Sequence, residues 1–400
     1  MTVTSEAPTA APEAPKALAI LDADSHLTDV DDLWTKRAPA KYKDEILHVE
    51  RIDGLRQWVI EGQVVGKAGG GSTIDKRGVK HPFLDSMVEW DFEKANVAAW
   101  DIDARLEILD RQGIQHQVLY PNALGLGGQA LANVKDPVLR RLAVEIFNDS
   151  RAEIQNNTNN RLLPMPILPA WDIEGCVREA QRVSELGLRG VNMTSDPQDL
   201  GSPDLANRAW DPLWEVCADL ELPVHFHIGS SLTAMNFFGQ YFWESQSEYV
   251  KPAIGGAMLF IGNARVVINT IFSGLFDRHP NLQMVSVESG IGWVPFILET
   301  MDWELPENAP AQAAELNRPP SEYFKTNWHA TMWFETGRGS LQDLVDKVGE
   351  DNIMFETDFP HPTSLWPNPL EQTRDALATL RPESRAKILA ENGKKLYRLG

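Results

Sequence analysis

The chain has 400 residues, 43% of them hydrophobic, and its 57 acidic against 37 basic side chains give a formal charge of -20. That composition allows a large buried core, and a field of that sign argues against nucleic acid and membrane partners and otherwise serves solubility. An anionic substrate stays open, because a bound metal can dominate the field locally.

Residues 1–17 (MTVTSEAPTAAPEAPKA) are Ala/Pro-rich without a basic-then-apolar pattern, so a flexible tail is expected rather than a secretory signal. No apolar run reads as long enough to span a bilayer, and the expected location is cytoplasmic. Order should begin at ALAILDADSH, residues 17–26, an apolar run ending in polar residues as a buried strand does. RQWVIEGQVV alternates around Glu61-Gly62 and predicts a hairpin, and residues 67–100 read as a long excursion over the mouth of the fold.

From Asp101 strands and helices alternate. Asp101 can cap a helix, Gln117 to Tyr120 reads as a strand, and 137–156 is helix-like. LLPMPILPA from Leu162, the amphipathic 172–186, Leu188 to Met193, the helix from Asp211 and the strand at 222–229 follow. The helix RVVINTIFSGLF, the strand LQMVSVES, the strand-like WHATMWFE and IMFETDFPH complete the series. Cys176 and Cys217 fall in helical segments and read as small buried apolar groups. About eight strand–helix units predict a parallel sheet closed into a (β/α)8 TIM barrel, with a β-hairpin excursion after the first strand and one domain over 18–400.

Four strand ends carry candidate metal ligands: Asp24 with His26, then His227 of His-Phe-His, then Glu288 in SVESG, then Asp358 in FETDFPH. Residues i and i+2 of a strand point to one side, so Asp24 and His26 can converge. Each alone has an ordinary explanation as a core histidine, a helix cap or an ion pair. Together at the ends of separate strands they predict one divalent metal, zinc first, with manganese or iron as alternatives.

DADSH, DIDARLEILDRQGIQHQVLYPN, LLPMPILPAWDIEGCVREAQRVSELGLRGVNM, DRHPNLQ and TDFPH also carry a resemblance. From about residue 18 to the C-terminus the chain resembles the amidohydrolase superfamily. The similar branch includes aminocarboxymuconate-semialdehyde decarboxylase and the γ-resorcylate-type decarboxylases. The resemblance implies metal ligands at Asp24, His26, His227 and Asp358. Two positions depart from the common pattern: Asp24 stands where many members have histidine, and Glu288 stands where an acid/base histidine is usual. Glu288 is therefore expected to be a further protein ligand, a general base or a proton donor.

After His227 the segment GSSLTAMNFFGQYFWESQ concentrates aromatics. Phe238, Tyr241 and Trp243 are expected to form a substrate pocket wall or a subunit interface, with His361 helping at the pocket and His329 as a candidate acid/base. The leading expectation is a metal-dependent lyase that decarboxylates a small aromatic or unsaturated acid. The alternatives are a hydrolase of an ester, amide or lactone, a hydratase, and a non-catalytic barrel-shaped binding protein. A homodimer or higher homo-oligomer is expected.

Overall fold

Short, largely apolar segments become the parallel strands, most of them buried on both faces as strands under helices are. Strand β1 (Ile20–Asp22) is followed by β2 (His48–Ile52), β3 (Leu55–Ile60) and β4 (Gln63–Lys67), then β5 (Ile114–Leu119), β6 (Leu162–Pro164) and β7 (Val191–Asn192). The series ends with β8 (Val224–His227), β9 (Met284–Val287), β10 (Trp328–Met332) and β11 (Ile353–Phe355). The computed structural model describes residues 19–87, 89–240, 243–335 and 339–400, with side chains left out at 237–240. The tail expected at 1–17, the Phe238 side chain and Tyr241 therefore lie outside the described residues.

The fold is mixed α/β. One sheet has the order β1-β5-β6 and another β11-β10-β9-β8-β7, with every pairing parallel. Single parallel bridges, Ile167 to Asn192 and Ser25 to Phe359, join the two sheets at both edges. Strands β2, β3 and β4 form a separate antiparallel sheet, with Glu61 and Gly62 turning the chain between β3 and β4. Several strands are shorter than their apolar runs. Pro166 and Pro169 have no N–H to give a ladder, and β6 stops at Pro164.

The helix Ile102–Gln112 starts where Asp101 accepts from Ala104 N at 2.9 Å and stops at Gly113, φ 73°. Its buried Arg105 reaches inward, donating to His26 O at 2.5 Å, Gln117 Oε1 at 2.9 Å and Ala98 O at 2.6 Å. Asp22 complements this tie by accepting from Gln117 Nε2 at 2.8 Å and from Thr357 N and Oγ1 at 2.8 and 2.6 Å. Burial pushes the Asp22 carboxyl up to about 6. These contacts lock β1, β5 and β11 together just beneath the ends that carry Asp24, His26 and Asp358.

The reading of the apolar runs needs one correction. By length and composition Val250–Phe272, 23 residues containing an 18-residue stretch of mean hydropathy 1.4, is long and apolar enough for one membrane span. A turn at 260–263 divides it into the helices Val250–Leu259 and Ala264–Phe272, each shorter than the ~20 residues a span needs.

Candidate metal centre

The exits of β1, β8, β9 and β11 bring five side chains to one place. Asp24 and His26 follow β1, and Asp358 N donates to Asp24 O at 2.9 Å, pinning the β11 exit to the β1 exit. His227 ends β8, and Ile228 O lies 2.8 Å from its Nδ1, which directs Nε2 inward. Glu288 follows β9 directly and Asp358 lies three residues past β11, both with φ 54°.

His26 Nε2 and His227 Nε2 are 3.2 Å apart. His26 Nε2 is 3.7 Å from Asp24 Oδ1 and 3.7 Å from Asp358 Oδ1. His227 Nε2 is 3.6 Å from Asp24 Oδ2 and 3.3 Å from Glu288 Oε2. One donor atom from each of Asp24, His26, His227 and Glu288 falls within 4.8 Å of the others, and the same holds for His26, Glu288, Asp358 and His361.

The arrangement is costly as it stands. Both Asp24 oxygens and Asp358 Oδ1 are buried without a hydrogen-bond partner. Burial, then the neighbouring carboxylates, hold the Asp24 and Glu288 carboxyls well above their usual range. Burial, then His361 and His227, hold His26 well below its ordinary value, and burial lowers His227 to about 4. Neutral imidazoles facing crowded carboxylates fit a divalent cation, which satisfies the orphaned oxygens and offsets their charge.

His361 joins this group. Its ring stacks on His26 with centroids 3.7 Å apart, and its Nδ1 is 3.1 Å from Asp358 Oδ1. Tyr120 packs its ring 5.1 Å from that of His227. Below them His225, the other histidine of the His-Phe-His pair, is matched to Val191 O at 2.9 Å and Tyr397 Oη at 3.0 Å, a structural role.

His329 is not brought to the cluster. It is the second residue of β10, so it lies at the opposite end of the strand from the mouth, with Nε2 3.1 Å from Gln283 Oε1. There it lines a cavity of about 740 Å³ with Gln283, Lys325 and Lys395. An acid/base role at the metal centre is therefore corrected to a place at the far pole. Trp243, expected in the pocket, is 62% exposed.

Two residues missed in the sequence support Glu288. Thr331 Oγ1 accepts from Glu288 N at 2.9 Å, and Glu335 Oε1 accepts from Ile291 N at 2.5 Å. Glu335 follows a strand end after Trp333 and Phe334, the same signal that marked Asp358. A cavity of about 550 Å³ opens between the loops after β1 and β5, the β3–β4 hairpin and the helix Leu232–Gln240; Thr28, Trp58, Asn122 and Met235 are among its walls.

Comparison with known proteins agrees with this geometry. The chain is 28% identical over 317 residues to γ-resorcylate decarboxylase of Rhizobium radiobacter, covering 74% of this chain and 87% of that one. It superposes on the crystal structure of an amidohydrolase from Mycobacterium avium subsp. paratuberculosis K-10 with TM-score 0.74 at 21% identity, covering 95% and 99% of the two chains. Dihydroxybenzoic acid decarboxylase from Polaromonas sp. JS666, solved with bound manganese and 2-nitroresorcinol, gives TM-score 0.64 at 20% identity over 96% and 98%. At those identities the two superpositions establish a shared fold. The sequence model of the amidohydrolase family matches residues 22–399, nearly the whole described chain, and the chain belongs to that family.

Proposed function

We propose that this chain is a metal-dependent carboxy-lyase that removes CO₂ from a small carboxylated aromatic or unsaturated acid. The observation that carries the reading is the buried set Asp24, His26, His227, Glu288 and Asp358, with three carboxylate oxygens lacking hydrogen-bond partners. The decarboxylase names of its relatives agree with it. The two parallel sheets, bridged at both edges, are read as one eight-stranded (β/α)8 barrel within a single domain over 18–400. β2–β4 form the excursion after its first strand.

Asp24, His26, His227 and Asp358, with Glu288 as a further contact, would hold a divalent ion, which would supply Lewis-acid stabilisation of negative charge on the substrate. Zinc suits the two imidazoles and manganese the carboxylates, so the bound ion is expected to be one of these. Glu288, with Oε2 3.3 Å from His227 Nε2, is placed to deliver the proton that the product carbon takes up as CO₂ departs. Phe296 and Trp303, 70% and 67% exposed on the helix Val294–Asn308, support a homodimer surface.

The test is metal content by mass spectrometry beside CO₂ release from 2,6-dihydroxybenzoate and related hydroxybenzoates. About one ion per chain, lost together with CO₂ release in His227→Ala, is the expected result. Glu288 in place of a histidine also favours a second reading, addition of water to a conjugated acid with Glu288 as base. Incorporation of ¹⁸O from water into the organic product, without CO₂, would replace the first reading by the second.

A further inference from the structure

The turn that carries Glu288 out of β9 is held at both ends by residues of the neighbouring β10 exit. At its start Glu288 N donates to Thr331 Oγ1 at 2.9 Å. At its far end Ile291 N and Gly292 N donate to Glu335 Oε1 at 2.5 and 3.3 Å. Between them Gly290 has φ 65°, and a Cβ there would lie 2.6 Å from Glu335 Oε1 and 2.7 Å from Phe334 Cζ. The glycine thus admits the carboxylate to the turn. Glu335 Oε2 is buried and has no hydrogen-bond partner among the described residues.

We infer that Glu335 is a positioning residue for Glu288, fixing the backbone turn that aims Glu288 at His227 and the metal centre. The inference rests on the reading above that Glu288 serves that centre. A glutamate with φ 54° persists only where its surroundings over-determine the backbone. Thr331 secures the peptide N–H of residue 288 itself, and Glu335 secures the two N–H groups at which the turn closes. An ordinary helix cap does not account for the contact, because the helix begins at Val294, beyond both donors. Without the carboxylate both donors are orphaned. The turn then relaxes, and the 3.3 Å approach of Glu288 Oε2 to His227 Nε2 is lost.

The test uses full-length wild type, Glu335→Gln, Glu335→Ala and Glu288→Ala, each stripped of metal and checked by circular dichroism. Mn²⁺ binding is followed by electron paramagnetic resonance, and ligand geometry by the visible spectrum of the Co²⁺ form. Glu335→Ala is expected to weaken Mn²⁺ binding by about 10–100-fold and to change the Co²⁺ spectrum. Glu335→Gln, whose amide oxygen accepts the same two N–H bonds, should stay within about threefold of wild type. A folded Glu335→Ala with wild-type Mn²⁺ affinity and Co²⁺ spectrum would overturn the positioning role, whatever its melting temperature. Equal losses in the Gln and Ala variants would overturn it too, since the hydrogen bonds alone would then not matter. If Glu288→Ala itself binds Mn²⁺ as wild type does, the underlying reading of Glu288 fails and the inference with it. Impaired Glu288→Ala beside intact Glu335→Ala removes the inference alone.

Discussion

The imidazoles of His26 and His361 stack face to face, with ring centroids 3.7 Å apart and planes inclined by 18°. His361 also holds its Nδ1 3.1 Å from Asp358 Oδ1, so one side chain braces residues from the first and last strands of the metal centre. Phenylalanine at position 361 keeps the stack and deletes the polar link. His361→Phe is expected to retain metal, measured by mass spectrometry, while kcat falls about 10–100-fold. Loss of the ion in this variant would show that the link to Asp358, not the stack, secures the site.

His329 gives a prediction in pH. Burial lowers it from 6.5 to about 4, and it lines the pole opposite the metal centre. Above pH 6.5 it is neutral folded and unfolded and contributes nothing. Between pH 6.5 and 4 the unfolded chain binds the proton first, so stability rises with pH across that window and is lost on acidification, by up to about 3 kcal/mol. His329→Gln should flatten that loss in urea melts at pH 4.5, 5.5 and 7, and leave turnover at pH 7 unchanged. A large drop in turnover at pH 7 would put His329 back into the chemistry.

Arg105 is fully buried and donates to three separate acceptors, among them the His26 carbonyl. Methionine fills much of its volume and supplies none of those bonds. Arg105→Met is expected to lose about 3–5 kcal/mol in urea denaturation, because buried acceptors are left without donors. Metal affinity should fall in parallel, since the backbone of His26, a proposed ligand, is released. A stability change under about 1 kcal/mol would mean that water replaces the guanidinium without cost.

The cluster was legible as a candidate metal centre because its residues obey a local rule: polar groups at the end of an apolar run, or a few residues past it, mark the exit of a buried parallel strand. Asp24, His26, His227, Glu288 and Asp358 all follow that rule. His329 was misread because it follows the helix before β10 and enters the strand, where the same residue type faces the other pole. Glu335 obeys the rule and was passed over, lying in WHATMWFETG among aromatics that drew the reading toward packing. Arg105 and Thr331 were beyond reach. Their partners are set by which helix covers which strand, and no spacing within one segment encodes that.

Glu288 and Asp358 share a backbone φ of 54°, a region that glycine enters most easily and glutamate least of this pair. Strain of this kind costs ~1–3 kcal/mol per residue, more than the ~0.5–1 kcal/mol of chain entropy that a glycine would forfeit. Glu288→Gly also removes a carboxyl buried among other carboxylates. The metal-free variant is therefore expected to melt at a higher temperature than metal-free wild type in calorimetry, while binding no substrate productively. Any selection for thermal tolerance alone would drift toward glycine at both positions, and would arrive at a sturdier protein that had erased its own chemistry.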